Sequence, residues 1–143
     1  MKTLTQLLAD KSRKLVVVAP GDTVFHALAV MAEHDIGAVP VLNGERLVGI
    51  FSERDYARKM ILHGKSSKTT PVREVMSAHV AYVTRTATLE ECMALMTEKH
   101  FRHLPVLNDN GSVAGMVSIG DMIKEIIGSQ KFLIEELERY ITG

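Results

Sequence analysis

The sequence predicts an α+β chain built from two tandem β-α-β-β-α units, and three observations carry that prediction. The heptapeptide Gly49–Asp55, Gly-Ile-Phe-Ser-Glu-Arg-Asp, returns as Gly115–Asp121, Gly-Met-Val-Ser-Ile-Gly-Asp. The run Ala38–Asn43 returns as His103–Asn108, with Pro40 and Pro105 separated by 65 positions. Thr23, Leu28 and Met31 return as Thr88, Met93 and Met96 at the same separation. The glycines are 66 apart, so the second copy holds one extra residue, in the Asn108–Gly111 turn. Self-similarity over this much chain sets the architecture before any local reading.

Each unit is then legible in order. Leu4, Leu7 and Leu8 within Met1–Asp10 have helical spacing, and Val72, Val75 and Met76 repeat the pattern behind Pro71, which suits a first helical turn. Each unit is therefore expected to carry a short leading helix. Leu15–Val18 and Val80–Val83 are β-branched, apolar strands. Pro20–Thr23 breaks the first strand and starts a helix whose stripe is Val24, Ala27, Leu28 and Met31. In the second copy Thr88 caps a helix with Glu91 reaching back, and Leu89, Cys92, Met93 and Met96 form its buried stripe. Two strands follow, Val39–Leu42 and Leu47–Phe51, joined by an Asn43-Gly44 hairpin; their partners are Leu104–Leu107 and Val113–Val117. Glu53–Leu62 and Ile119–Ile127 are the closing helices. The expected divisions are 1–65, the first repeat with its leading helix; 66–128, the second repeat; and 129–143, an amphipathic tail helix with Phe132, Leu133, Leu137, Tyr140 and Ile141. The Ser-, Lys- and Thr-rich stretch His63–Thr70 reads as a solvated linker.

Composition narrows the function. The 143 residues suffice for one good core or two small coupled ones, and the 46% apolar fraction is that of a globular protein. Formal net charge is zero, which gives no general attraction to nucleic acid or to an anionic membrane. No apolar run approaches the roughly 20 residues of a membrane span, and no signal pattern opens the chain. A lone cysteine, Cys92, fits a reducing, cytoplasmic setting and a buried core position. No Ser/His/Asp or Cys/His set and no paired carboxylates are evident, so an enzyme is not expected. His100 and His103 lack a further ligand at metal spacing, and His26, His34, His63 and His79 read as surface or turn residues. Gly64-Lys65-Ser66 is not a phosphate loop, because Lys59 stands where that motif needs glycine.

The doubled apolar-Pro-Val-Leu strand, hairpin and Gly-x-x-Ser-x-x-Asp turn resemble a tandem cystathionine-β-synthase (CBS) domain pair, over nearly the whole chain. Glu53–Lys59, Glu-Arg-Asp-Tyr-Ala-Arg-Lys, is similar to the opening of the closing helix in stand-alone bacterial members. The resemblance implies two units packed sheet to sheet about a pseudo-twofold axis, with two clefts between them. It implies a non-catalytic sensor of AMP, ADP, ATP or NAD, with S-adenosylmethionine as a further ligand of some members. By position, one cleft would use Val16, Ile36, Gly37 and Ala38 with Met116, Ser118 and Asp121. The other would use Ala81, Phe101, Arg102 and His103 with Ile50, Ser52, Arg54 and Asp55. Gly37-Ala38 is small and neutral whereas Arg102-His103 is bulky and basic, and Arg54 is matched by Gly120, so the clefts are expected to differ.

Two readings of the turn stand side by side. Ser52/Asp55 and Ser118/Asp121 have capping-box spacing, so the aspartates could only cap helices. An ionised carboxylate there could also accept both hydrogen bonds of a ribose diol, beside a helix N-terminus suited to phosphate. The alternative function is a structural dimerisation module with degenerate clefts. A homodimer is expected either way, through exposed helical faces including Tyr56, Met60, Met122 and Ile126 and through the tail, with any signal passing to an effector protein or through a rearrangement of the dimer.

Overall fold

The computed structural model describes residues 2–10 and 15–142. Met1, residues 11–14 and Gly143, which fall within the expected first repeat and tail, lie outside the described residues.

The first unit contains α2 (Val24–His34), the antiparallel hairpin β1 (Ala38–Asn43) and β2 (Arg46–Ser52), and a closing helical segment α3 that starts at Glu53. The second contains β3 (Val83–Thr84), α4 (Leu89–Lys99), the antiparallel pair β4 (His103–Leu107) and β5 (Val113–Ser118), and α5 (Ile119–Thr142). Both hairpins carry an irregularity at the same place, Val41/Leu42 and Val106/Leu107. Both long helices start alike: Thr23 Oγ1 accepts from His26 N–H and Thr88 Oγ1 from Glu91 N–H, each at 3.1 Å. Both end alike, on a left-handed residue, Asp35 (φ 52°) or His100 (φ 58°).

The predicted first strands are reduced. Val18 makes a single parallel bridge to Val41, and β3 keeps two residues beside Val106 and Leu107. Leu15 and Val17 are exposed, and Val80 and Ala81 line a cavity, Ala81 also packing against the second core. Only the inward-facing end of each stretch therefore reaches the neighbouring strand.

The largest departure concerns the leading segments. Leu4 and Leu7 of α1 (Leu4–Asp10) lie in the core of the second unit, with Leu89, Cys92, Met96, Leu104, Val117 and Met122. Val72 and Val75, on the 3-10 turn Val72–Glu74, lie in the core of the first, with Val24, Met31, Val39, Phe51 and Met60. The leading segments are exchanged, so the expected grouping of α1 with the first repeat does not describe the packing. The exchange explains the first position of the repeated turn. A Cβ on Gly49 would stand 2.7 Å from Met76 Sδ and 2.9 Å from the Ser77 carbonyl. One on Gly115 would stand 2.7 Å from Leu8 Cδ2. Glycine leaves room for the other unit's leading segment to cross there, and at Gly49 that segment's backbone is among what a side chain would meet.

The linker is tied down rather than solvated throughout. Val24 N–H donates to the Thr70 carbonyl and Phe25 N–H to that of Ser67, so it satisfies N-terminal donors of α2. Thr70 is buried.

The closing segments also depart from expectation. α3 runs as one α-turn (Glu53–Asp55), a π-helical turn (Tyr56–Met60) and a 3-10 turn (Ile61–His63). The expected break at Gly128 is absent: closing helix and tail are one helix, α5. Met60 and Met122, expected on an exposed face, are both 0% exposed, because each points back into its own unit's core. Tyr56 and Ile126 are half-buried.

Candidate functional site

A cavity of about 500 Å³ opens between the units. One wall is the β2–α3 turn of the first unit, with Ile50, Ser52, Arg54 and Asp55. The opposite wall is Ala81 with the α4–β4 connection, Phe101, Arg102 and His103. These are the eight residues assigned to the second cleft from the sequence, and the fold brings all of them together. Two matched hydrogen bonds hold the connections in place: Glu53 N–H donates to the Gly37 carbonyl at 3.0 Å and Ile119 N–H to that of Arg102 at 2.9 Å. The first residue of each closing helix is thereby fixed to the turn that follows each long helix.

Of the residues assigned to the other cleft, Gly37 alone lines this cavity. A Cβ there would meet the His103 ring at 3.6 Å, so the small residue of one unit faces the large residue of its counterpart. Val16 and Ile36 pack against the first core, and Ala38 is buried in β1. Met116 and Ser118 on β5 and Asp121 on α5 are half-buried and lie outside the cavity.

The cavity has further walls that the sequence reading did not include: Glu53, Arg58, Lys59, Ser77, His79, Val80 and His100. His79, expected as an ordinary surface or turn residue, is exposed yet faces the cavity. Around the π-helical turn Met60 enters the core while Arg58 and Lys59 face the cavity. The lining thus sets Arg54, Arg58, Lys59 and Arg102 against Glu53 and Asp55, with three histidines besides. A chain of zero net charge concentrates cationic groups here.

Asp55 is the most tightly held side chain of the site, and it is buried. Its Oδ2 accepts from Ser52 N–H at 3.0 Å and from Ser52 Oγ at 3.1 Å, while Asp55 N–H donates to Ser52 Oγ at 3.1 Å. Its Oδ1 accepts from Ser77 Oγ and meets Lys59 Nζ, both at 3.1 Å. The capping box expected from the spacing is formed. The second copy matches it, with Ser118 N–H donating to Asp121 Oδ2 at 2.8 Å and Asp121 N–H to Ser118 Oγ at 3.1 Å. Asp55 is also joined, through Ser77, to the exchanged leading segment; Ser77 pairs with Ile50 through both backbone hydrogen bonds.

Comparison with known proteins agrees with this architecture. The CBS domain family matches residues 9–62 and 72–128. The chain belongs to the CBS-domain family, as a pair of tandem CBS units in an α+β fold. A CBS-domain protein from Burkholderia ambifaria is similar at 47% identity and TM-score 0.84, over 90% of this chain and 96% of that one. The mitochondrial CBS domain-containing protein CBSX3 of Arabidopsis thaliana is 40% identical over 85% of this chain, and the match spans 61% of that protein's length. The structure of Arabidopsis CBSX2 in complex with AMP is similar at 25% identity and TM-score 0.68, over 83% of this chain and 92% of that one.

Proposed function

We propose that this protein is a non-catalytic regulatory module that binds an adenine nucleotide, AMP, ADP, ATP or NAD, in the cavity between its CBS units. One observation supports the reading above all. Residues remote in sequence, Ser52, Arg54 and Asp55 from one unit and Ala81, Phe101, Arg102 and His103 from the other, line a single nucleotide-sized, cation-rich cavity. Phe101, Ala81 and Val80 provide an apolar wall for a base, and the arginines and Lys59 provide charge for phosphate. The AMP complex of CBSX2 supports the same ligand class.

The output passes to an effector protein or through a two-fold association of two copies, with α5 as the associating element. The setting is cytoplasmic. No helix among the described residues is long and apolar enough to cross a membrane, and Cys92 is a buried free thiol. The competing reading, a structural dimerisation module with degenerate clefts, draws on the internal saturation of Asp55. Calorimetry against AMP, ADP, ATP, NAD and S-adenosylmethionine separates the two. Binding by at least one in the micromolar to sub-millimolar range is the expected result, and silence from all five at millimolar concentration leaves the structural role.

A further inference from the structure

An ionised carboxylate offers about four acceptor positions. At Asp55 all four are taken: Ser52 N–H and Oγ at Oδ2, and Ser77 Oγ and Lys59 Nζ at Oδ1. A ribose diol reaches this carboxylate only by displacing donors. The two on Oδ2 belong to the capping box of α3 and are costly to move. The two on Oδ1 come from outside that box. Lys59 is the accessible one, with a side chain 42% exposed and facing the cavity.

An ammonium has three N–H donors. Those of Lys59 are directed to Asp55 Oδ1, to the Val75 carbonyl at 3.1 Å and, more weakly, to the Met76 carbonyl at 3.5 Å. The lysine is not repeated by position, since the residue 66 further on is Glu125, which accepts from Lys2 N–H.

Resting on the nucleotide reading above, we propose that Lys59 is the specificity-determining residue of this cleft, an internal competitor for the ribose-accepting carboxylate that selects phosphorylated nucleotides over nucleosides. A nucleoside that takes Oδ1 leaves the displaced ammonium without a compensating anion. A nucleotide supplies one, since its phosphate enters a cavity lined by Arg54 and Arg58 on one wall and Arg102 on the other. The lysine then moves from carboxylate to phosphate, and its attraction is retained rather than lost. The same move withdraws two hydrogen bonds from Val75 and Met76, so the exchanged leading segment registers the phosphate.

The test is calorimetry of the full chain with adenosine and with ATP, on the native protein, Lys59→Met and Ser77→Ala. Lys59→Met is expected to bind adenosine about tenfold more tightly and ATP no more tightly, so the ATP-to-adenosine preference falls at least tenfold. Ser77→Ala opens one acceptor position to both ligands, and both are expected to tighten by a similar factor. It also keeps the test open should Lys59→Met not fold. If native protein and variants all bind neither ligand, the nucleotide reading fails and this proposal with it. If native protein binds ATP but Lys59→Met weakens adenosine and ATP alike, Lys59 is an ordinary contact and the proposal is overturned while the nucleotide reading stands. If Ser77→Ala changes neither affinity, Asp55 Oδ1 is not where the ribose binds, which also overturns it.

Discussion

Leu8 of the leading helix stands against Gly115 of the second unit's hairpin, 2.7 Å from where a Cβ on that glycine would lie. Its counterpart, Gly49, faces both a side-chain tip, Met76 Sδ, and a backbone oxygen, Ser77 O, at 2.9 Å. The two substitutions are therefore unequal. Leu8 can rotate away from an alanine, whereas the Ser77 carbonyl is held by its pairing with Ile50. Gly49→Ala is expected to destabilise by roughly 2–3 kcal/mol and Gly115→Ala by about 1 kcal/mol or less, read by urea unfolding. Equal costs would show that the crossing is not held by its backbone pairing.

The exchange makes a second prediction about the same segment. Leu4 is fully buried in the second core. Leu4→Ala is expected to cost about 2–5 kcal/mol, the cost of an internal leucine rather than of a frayed terminus. A loss under about 0.5 kcal/mol would mean that α1 contributes nothing to the second unit.

Much of this architecture was legible because the repeat is compared with itself. The hairpins, the helix stripes and the Ser-x-x-Asp caps each rest on short-range chemistry that the sequence displays twice. The cleft residues from Ile50 to Asp55 and from Phe101 to His103 were found the same way. What stayed hidden depends on where the chain goes between elements. No local spacing says that Leu4 packs with Met122 rather than with Met60, nor that Ser77 and His79 meet the β2–α3 turn. Lys59 was accessible in principle, since it lies four residues after Asp55 on one helical segment. Gly128 suggested a helix end. α5 continues through it because neither neighbouring residue nor a proline forces the chain out of helical geometry.

Cys92 is buried at the centre of the second core. Burial first, and the adjacent Glu91 carboxylate second, raise its thiol above its ordinary value of 9.0. The thiolate is the reactive form, so both effects suppress its chemistry at pH 8. Alkylation of the native protein is expected to be at least about a hundredfold slower than in denaturant. Rapid labelling of the folded chain would show that the second core opens on the timescale of the reagent.

Arg102 stands where the first unit has Gly37, and its side chain is exposed along the cavity wall. Arg102→Ala is expected to weaken ATP by about tenfold or more and adenosine by less than about twofold, because a charge-assisted contact to phosphate is lost without disturbing the base. Equal loss for both, measured by calorimetry, would place Arg102 against the base or ribose instead.

The far half of α5 poses a question of solvent exposure that a second copy answers. Every residue from 130 to 141 is exposed, including Phe132, Leu133, Ile134, Leu137 and Ile141, with Tyr140 88% exposed. Residues 129–142 project about 20 Å along the helix axis, and a helix of that length is marginal in water on its own. Leu133, Ile134, Leu137, Tyr140 and Ile141 continue the spacing of Ile119, Ile123 and Ile127, which are also exposed, so one apolar stripe spans the helix. A two-fold contact covers the same stripe on both copies at once. Each large apolar side chain so covered contributes roughly 1.5 kcal/mol or more. The full chain is therefore expected to sediment as a dimer. A chain ending at Gly128 is expected to sediment as a monomer with both cores intact, since neither core contains a residue beyond Met122. Leu137→Asp should reproduce the effect in the full-length chain. If the truncated protein remains a dimer, the association lies on another face, and the stripe on α5 serves a different partner.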